Sequence, residues 1–273
     1  MSEDGPILAP AGEQTPMRRA LTSLRLHAAD LADTVSGRRD RLTPPRRLSL
    51  YVGHGDFRAT GDEFLALFRD LGGLREEDRV LDIGCGIGRM ARALVDVLAP
   101  PGSYDGFDVA RTGIDWCRER YVGLQVPFRF EPADVRNAVY NPSGRSDADT
   151  FRFPYEDSSF EFAFATSVFT HLLPGAADRY LAEAGRVLAP GGRLFATWFA
   201  FEGPLGAPFT VDERFAPAAV ADAGAPESAV AYPAEWLRER LGAHGFTLRA
   251  IHPGTWRGGP GATMQDVVVA VRE

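Results

Sequence analysis

Val80-Leu81-Asp82-Ile83-Gly84-Cys85-Gly86-Ile87-Gly88-Arg89 joins an apolar run to a glycine turn and then to a segment of helical character. The apolar run reads as a buried strand, and glycines follow where a backbone must turn tightly and come close to a ligand. The turn lies beyond the carboxyl end of that strand, where open α/β sheets bind their ligands. Spacing narrows the ligand. A dinucleotide fingerprint has the form G-x-G-x-x-G, and here the third glycine, Gly88, comes one residue early. Asp82, just ahead of the turn, would repel a pyrophosphate and attract a ligand that carries positive charge.

Outward from the loop, strand and helix patterns alternate. A helix over residues 62–68 ends at Gly72-Gly73. Strand Arg79–Ile83 is followed by helix Arg89–Leu98, strand Ser103–Val109, helix Thr112–Tyr121 and strand Phe128–Phe130. Further strands are expected at Phe160–Ala165, Gly192–Phe199, Phe246–His252 and Met264–Val271, with helices at Ala176–Val187 and Pro233–Leu241. Such alternation means a parallel sheet covered by helices on both faces. The last two strands have no helix between them, only the glycine-rich stretch 253–263, which permits an antiparallel final pair.

Three more segments stand in register with the loop. Tyr104-Asp105-Gly106-Phe107-Asp108-Val109 ends a strand in an acid, 26 positions beyond Asp82. Phe130-Glu131-Pro132-Ala133-Asp134-Val135 does the same after the third strand. Phe160-Glu161-Phe162-Ala163-Phe164-Ala165-Thr166-Ser167-Val168-Phe169-Thr170-His171-Leu172 carries the fourth strand into its loop, and Arg186-Val187-Leu188-Ala189-Pro190-Gly191-Gly192-Arg193 turns into the fifth. Together they resemble the motifs of class I S-adenosylmethionine-dependent methyltransferases, from about residue 74 to 200 and more loosely to the C-terminus. One departure is Ala189, where a lysine is common in the family.

The resemblance implies a Rossmann-like, doubly wound, mostly parallel seven-stranded α/β sheet with an antiparallel last strand, and S-adenosyl-L-methionine as cofactor. It assigns cofactor contacts to Asp82, Gly84, Cys85, Gly86, Gly88, Asp108, Val109, Asp134, Val135 and Ser167. Asp108 would grip the ribose hydroxyls, with Asp105 the weaker competitor, while Asp134 and the Val135 amide would meet the adenine. The alternatives are a helix-capping Asp108 and a solvated Asp134. Around this core the expected organisation is a disordered tail over 1–16, a helical or lid segment over 17–60, and a methyltransferase domain over 61–273 with insertions at 137–153 and 201–232.

Composition removes several other chemistries. Of 273 residues 45% are hydrophobic and 25% charged, ordinary for a globular protein, and there is no apolar stretch long enough to span a membrane. The two cysteines, Cys85 and Cys117, cannot build a disulfide framework, and no Cys/His cluster suggests a metal. A cytoplasmic setting and the absence of a membrane partner follow as expectations. The net charge of −7 and the lack of a basic domain argue against nucleic acid as partner. The chain has no lysine, so all 30 basic residues are arginine, which excludes Schiff-base and P-loop lysine chemistry. The arginine-dense stretch 38–47 reads as a solvated linker or as an arm that greets an anion.

Methyl transfer to a hydroxyl is helped by a base that takes the proton. His171, after the fourth strand, is the first candidate, and the competing role is packing or capping the next helix. His54, between Gly53 and Gly55, is the second, with a plain turn as its alternative. The expected activity is O-methylation of a small molecule, on a secondary-metabolite or glycosyl hydroxyl, by a monomer or homodimer. N- or carboxyl methylation, a non-methyl use of the same cofactor, and a non-catalytic binding module are the alternatives.

Overall fold

Val80 to Ile83 and Phe162 to Ala165 are fully covered, as near-continuous apolar runs must be when helices pack on both sides of a parallel sheet. The computed structural model describes residues 28, 30–32, 34, 35, 39–49, 55–137 and 140–273. The expected tail over 1–16, much of the 17–60 segment and His54 lie outside them. After a single helical turn at Arg46–Ser49, the elements in order are α1 (Phe57–Asp70), β1 (Arg79–Ile83), α2 (Arg89–Leu94), β2 (Ser103–Asp108), α3 (Arg111–Arg120), β3 (Phe128–Pro132) and β4 (Phe160–Ala165). There follow α4 (Pro174–Val187), β5 (Leu188–Trp198), β6 (Ala200–Phe201), β7 (Thr210–Val211), β8 (Ala219–Val220), β9 (Val230–Pro233), α5 (Ala234–Ala243), β10 (Phe246–His252) and β11 (Asp266–Arg272).

The main sheet has seven strands in the order β10-β11-β5-β4-β1-β2-β3. β2 and β4 both pair with β1 in parallel, so the chain reverses its direction of winding at β1 and opens a crevice there. β11 alone runs antiparallel to its neighbours β5 and β10. Side chains alternate between two apolar layers with the period of two that strands impose. Leu81, Ile83, Ala163, Ala165, Leu194 and Ala196 face the layer under α4 and α5. Val80, Tyr104, Phe162, Phe164 and Phe195 face the other, under α1 to α3.

α1 starts at Phe57, earlier than its apolar pattern suggested, because Asp56 caps it by accepting from the Arg58 and Ala59 amides (3.0 and 2.8 Å). Gly61 inside this helix has a packing reason: a Cβ there would lie 2.8 Å from the Arg89 carbonyl oxygen of α2. α2 ends at Leu94 rather than Leu98, with Pro100-Pro101 following after a short irregular stretch. β5 starts at Leu188 rather than Gly192, with a register shift against β4 between Phe160 and Phe162.

Residues 200–233 differ most from the sequence expectation. The stretch 201–232 reads as a structureless insertion, but it carries a second sheet in the order β6-β9-β8-β7. Its strands are two to four residues long, too short to leave a periodic pattern. Phe199, Phe209, Ala219 and Ala231 give it an apolar cluster of its own, while Val220, Val230 and Tyr232 join the main core. The arginine-dense segment also departs from a free linker. Leu42 is buried and the Asp40 carboxylate takes the Arg92 guanidinium of α2 at 2.9 Å.

Phe68 sits at the centre of the helix-side layer, its ring 4.4 Å from that of Phe164 and 4.9 Å from that of Phe195. Phe68→Ala should destabilise the protein by about 3–5 kcal/mol, the usual cost of a buried phenylalanine cavity. Urea unfolding with the m-value held constant checks this.

Candidate active site

The glycine turn is fixed by hydrogen bonds to the end of β2. The Gly84 and Cys85 amides both donate to the Phe107 carbonyl oxygen (3.0 Å each). Beyond them the Gly86 amide donates to Asp108 Oδ2 at 2.7 Å, while the Ala110 amide donates to Asp108 Oδ1 at 2.7 Å. Gly84 has φ +78°, a conformation that suits glycine, and a Cβ there would run into the Val168 side chain beyond β4. The turn from β1 therefore touches the turn from β4 directly.

Asp82 lies beneath this loop with 1% of its surface exposed. Tyr104 donates its hydroxyl to Asp82 Oδ2 at 2.6 Å, and Oδ1 has no hydrogen-bond partner among the described residues. Burial pushes the carboxyl up to about 8, opposed by the tyrosine bond and reinforced by the nearby Asp108. Burial raises Asp108 too, against the backbone amides that favour its charge. In register, Asp82 pairs with Gly106, so Asp108 is two residues further along the same face. Asp105, an odd number of residues away, is on the opposite face and pairs with Arg129 of β3 at 2.7 Å. A pyrophosphate would meet two acids, the buried Asp82 and the half-buried Asp108. A cation would relieve both, and it would give Asp82 Oδ1 the donor it lacks. The residues present thus fit a sulfonium and ammonium ligand.

Val109 is half-buried and follows Asp108 into the crevice. Cys85 is buried at the centre of the turn, its thiol pushed up by burial. Asp134 and the buried Val135 lie just past the end of β3. Arg145, from the 137–153 insertion, brings its Nε to 2.5 Å from Asp134 Oδ2 and so holds that carboxyl below the usual range. Ser167 follows β4 with φ +56°. His171 closes a single 3₁₀ turn, Phe169–His171, and its Nδ1 lies 2.8 Å from the Glu227 carbonyl oxygen of the 200–233 segment. Tyr232 of β9 grips the same turn, donating its hydroxyl to the Leu172 carbonyl at 2.6 Å.

Several contributing residues carry no sequence signal. Tyr104 is an unremarkable strand aromatic until its hydroxyl is found on Asp82. Glu227 acts through its backbone oxygen. Thr197 and Gln265 hold Ser167 from 30 and 98 positions away.

A sheet of this order, with acids beside a glycine turn at its switch point, fits an enzyme that uses a cationic cofactor, and comparison with known proteins agrees. A family model described as a methyltransferase domain matches residues 81–196. Demethylmenaquinone methyltransferase of Deinococcus radiodurans is 33% identical over 219 residues, covering 75% of this chain and 79% of that one. Phthiotriol/phenolphthiotriol dimycocerosates methyltransferase 1 of Mycobacterium ulcerans is 35% identical over 119 residues, which are 44% of this chain and 36% of the relative. Among solved structures, the 1,6-didemethyltoxoflavin-N1-methyltransferase of Burkholderia thailandensis with bound S-adenosylhomocysteine matches with TM-score 0.51. At 17% identity over 97% of this chain and 93% of that one, it speaks for the fold. The chain belongs to the class I S-adenosylmethionine-dependent methyltransferases, and S-adenosylmethionine is its cofactor.

Two outcomes follow from the loop. Folded Asp82 keeps a proton that the unfolded chain, at its ordinary 3.8, gives up. Its contribution to stability is therefore full below 3.8 and is lost as pH rises through about 8. A cationic ligand favours the ionised form, so affinity for S-adenosylmethionine should rise with pH up to about 8 and binding should release a proton. Calorimetry in buffers of different ionisation enthalpy measures that proton, and Asp82→Asn should abolish both pH dependences. Gly84→Ala combines a strained φ with a clash against Val168. It should weaken S-adenosylhomocysteine binding by about 5- to 150-fold, as strain of 1–3 kcal/mol implies, while circular dichroism stays unchanged.

Proposed function

We propose that the enzyme methylates a hydroxyl on a small, largely apolar acceptor, with His171 as general base. The observation that carries this reading is the 2.8 Å contact between His171 Nδ1 and the Glu227 carbonyl. A carbonyl oxygen only accepts, so Nδ1 must bear the proton. In the neutral ring Nε2 is then left as the basic nitrogen. S-adenosylmethionine supplies a methyl group on a sulfonium that leaves readily. His171 Nε2 would take the hydroxyl proton as the acceptor oxygen bonds to the methyl carbon and the methyl–sulfur bond breaks, leaving neutral S-adenosylhomocysteine. The Glu227 carbonyl holds the ring through both protonation states.

On the cofactor side, Asp82 meets the positive charge, while Asp108, already holding the Gly86 and Ala110 amides, offers its remaining lone pairs to the ribose hydroxyls. Asp134 and the Val135 amide meet the adenine, with Arg145 sharing the Asp134 carboxylate. The 200–233 sheet forms the acceptor wall. Phe199, Phe209 and Trp256 pack behind it, their rings 5.2–5.5 Å apart, beside the segment that positions His171. An apolar wall suits the kind of acceptor named for the relatives, a quinone or a lipid, better than a glycosyl group.

Single-turnover rates with a panel of hydroxylated aromatic and lipid acceptors test the base. His171→Asn keeps a donor for Glu227 but has no basic nitrogen. It should slow the reaction by about 10²–10⁴-fold and leave S-adenosylhomocysteine affinity intact. Full rate in His171→Asn, with a loss in His54→Ala measured beside it, would move the base to the N-terminal segment. Full rate in both would point to an amine or carboxylate acceptor.

A further inference from the structure

Ser167 is one of two described non-glycine residues with positive φ. The other, Ser158, lies in the turn before β4. Ser167 stands where β4 ends, between the strand and the turn that bears His171, and it is exposed at the crevice. A residue with a Cβ keeps such a conformation only where its surroundings impose it. Here the surroundings are specific. The Ser167 amide donates to Thr197 Oγ1 at 2.8 Å. Its hydroxyl donates to Gln265 Oε1 at 3.1 Å and accepts from Gln265 Nε2 at 2.9 Å.

Gln265 is 9% exposed, and its amide is directed to this one hydroxyl, with Thr170 Oγ1 at the edge of reach (3.5 Å). It is itself held firmly. A Cβ on Gly254 would collide with the Gln265 backbone, and Thr263 donates its hydroxyl to the Gln265 carbonyl. The next residue, Asp266, collects the Ala200 and Gly254 amides and the Trp256 indole N–H at 2.7, 2.7 and 2.8 Å. The left-handed step at Ser167 has consequences on both sides of the crevice. It places Val168 against Gly84 of the cofactor turn, and it starts the 3₁₀ turn that ends at His171.

We propose that Gln265 is a positioning residue for cofactor binding, its buried amide locking Ser167 in the left-handed conformation that sets Val168 against the glycine loop. The acceptor-side consequence rests on His171 as base. The cofactor-side consequence does not, so the test reads the cofactor side alone.

The probe is S-adenosylhomocysteine binding by calorimetry, with amide hydrogen exchange over residues 166–172 in the same proteins. Gln265→Leu should weaken binding by about tenfold, within the usual range for coupled neighbours, and speed exchange through the turn. Ser167→Ala, at an exposed position that leaves the core untouched, removes the hydroxyl but keeps the Cβ strain, and should lose as much. Ser167→Gly removes the strain as well, since glycine adopts positive φ freely, and should lose less than Ser167→Ala. In the Ser167→Gly background, Gln265→Leu should cost less than about threefold more. Equal losses in Ser167→Ala and Ser167→Gly would mean that the hydroxyl itself touches the ligand. A full Gln265→Leu penalty in the Ser167→Gly background would make Gln265 a core residue only. Either result overturns the proposal. Failure of His171 as base would leave all these binding results as they are.

Discussion

The carboxylate of Asp108 accepts the Gly86 amide on one oxygen and the Ala110 amide on the other, and the shape of the cofactor crevice depends on it. Those amides belong to two separate chain reversals, one after β1 and one after β2. A backbone in positive φ at Gly84, Gly86 and Gly88 cannot continue a regular ladder, so its amides need other acceptors. Phe107 supplies a carbonyl for two of them, and Asp108 supplies the third contact with a charge behind it. The bond from Gly86 also fixes which way the carboxylate faces. It turns Asp108 toward the loop and away from Asp105, whose guanidinium partner lies on the other face of β2.

That arrangement has an energetic consequence. Asp82 and Asp108 are both driven toward protonation by burial, and Asp82 keeps an oxygen with no donor. An unpaired buried acceptor costs roughly 1–3 kcal/mol. A core optimised for stability alone would carry an apolar residue at Asp82, between Leu81 and Ile83. The cost is concentrated at the ligand site, where a cation can recover it. In the proposed binding mode, stability given up in the free protein would favour a positively charged cofactor over a pyrophosphate.

How much of this was legible in the sequence depends on the range of the interactions. The glycine turn, the acids at the ends of β1 to β3 and the sheet class are encoded within short windows, by spacing and by apolar runs, and they could be read directly. The side-by-side placement of Asp82 and Asp108 required strand register, which no window shows. The sequence ranks Asp108 above Asp105 by its place at the strand end, and the period-two alternation of β2 gives the physical reason, since it turns Asp105 to the opposite face. The 200–233 sheet was illegible because two-residue strands have no period and their composition mimics a loop. Arg145 on Asp134, Glu227 on His171 and Gln265 on Ser167 were illegible for a further reason. Each depends on where an insertion or a distant strand docks, and an arginine, a backbone carbonyl and a lone glutamine carry no motif.

The antiparallel direction of β11 explains why so distant a residue reaches the site at all. In a parallel sheet every strand delivers its carboxyl end to the crevice, so only residues at or just past strand ends, such as Gly84, Asp108 and Ser167, have access. β11 runs the other way, and its first residue, Asp266, pairs with Trp198, the last of β5. Its amino end therefore enters the crevice beside the carboxyl ends of its neighbours. Gln265 and Asp266 sit at that entry point. One reaches across to the β4 turn through Ser167, and the other gathers the Ala200 amide, where the 200–233 sheet begins, together with the Gly254 amide and the Trp256 indole. The sheet grips the His171 turn in return through Glu227 and Tyr232. The glycine turn, the His171 turn and the 200–233 sheet thus share one anchor in the main sheet, at Gln265 and Asp266.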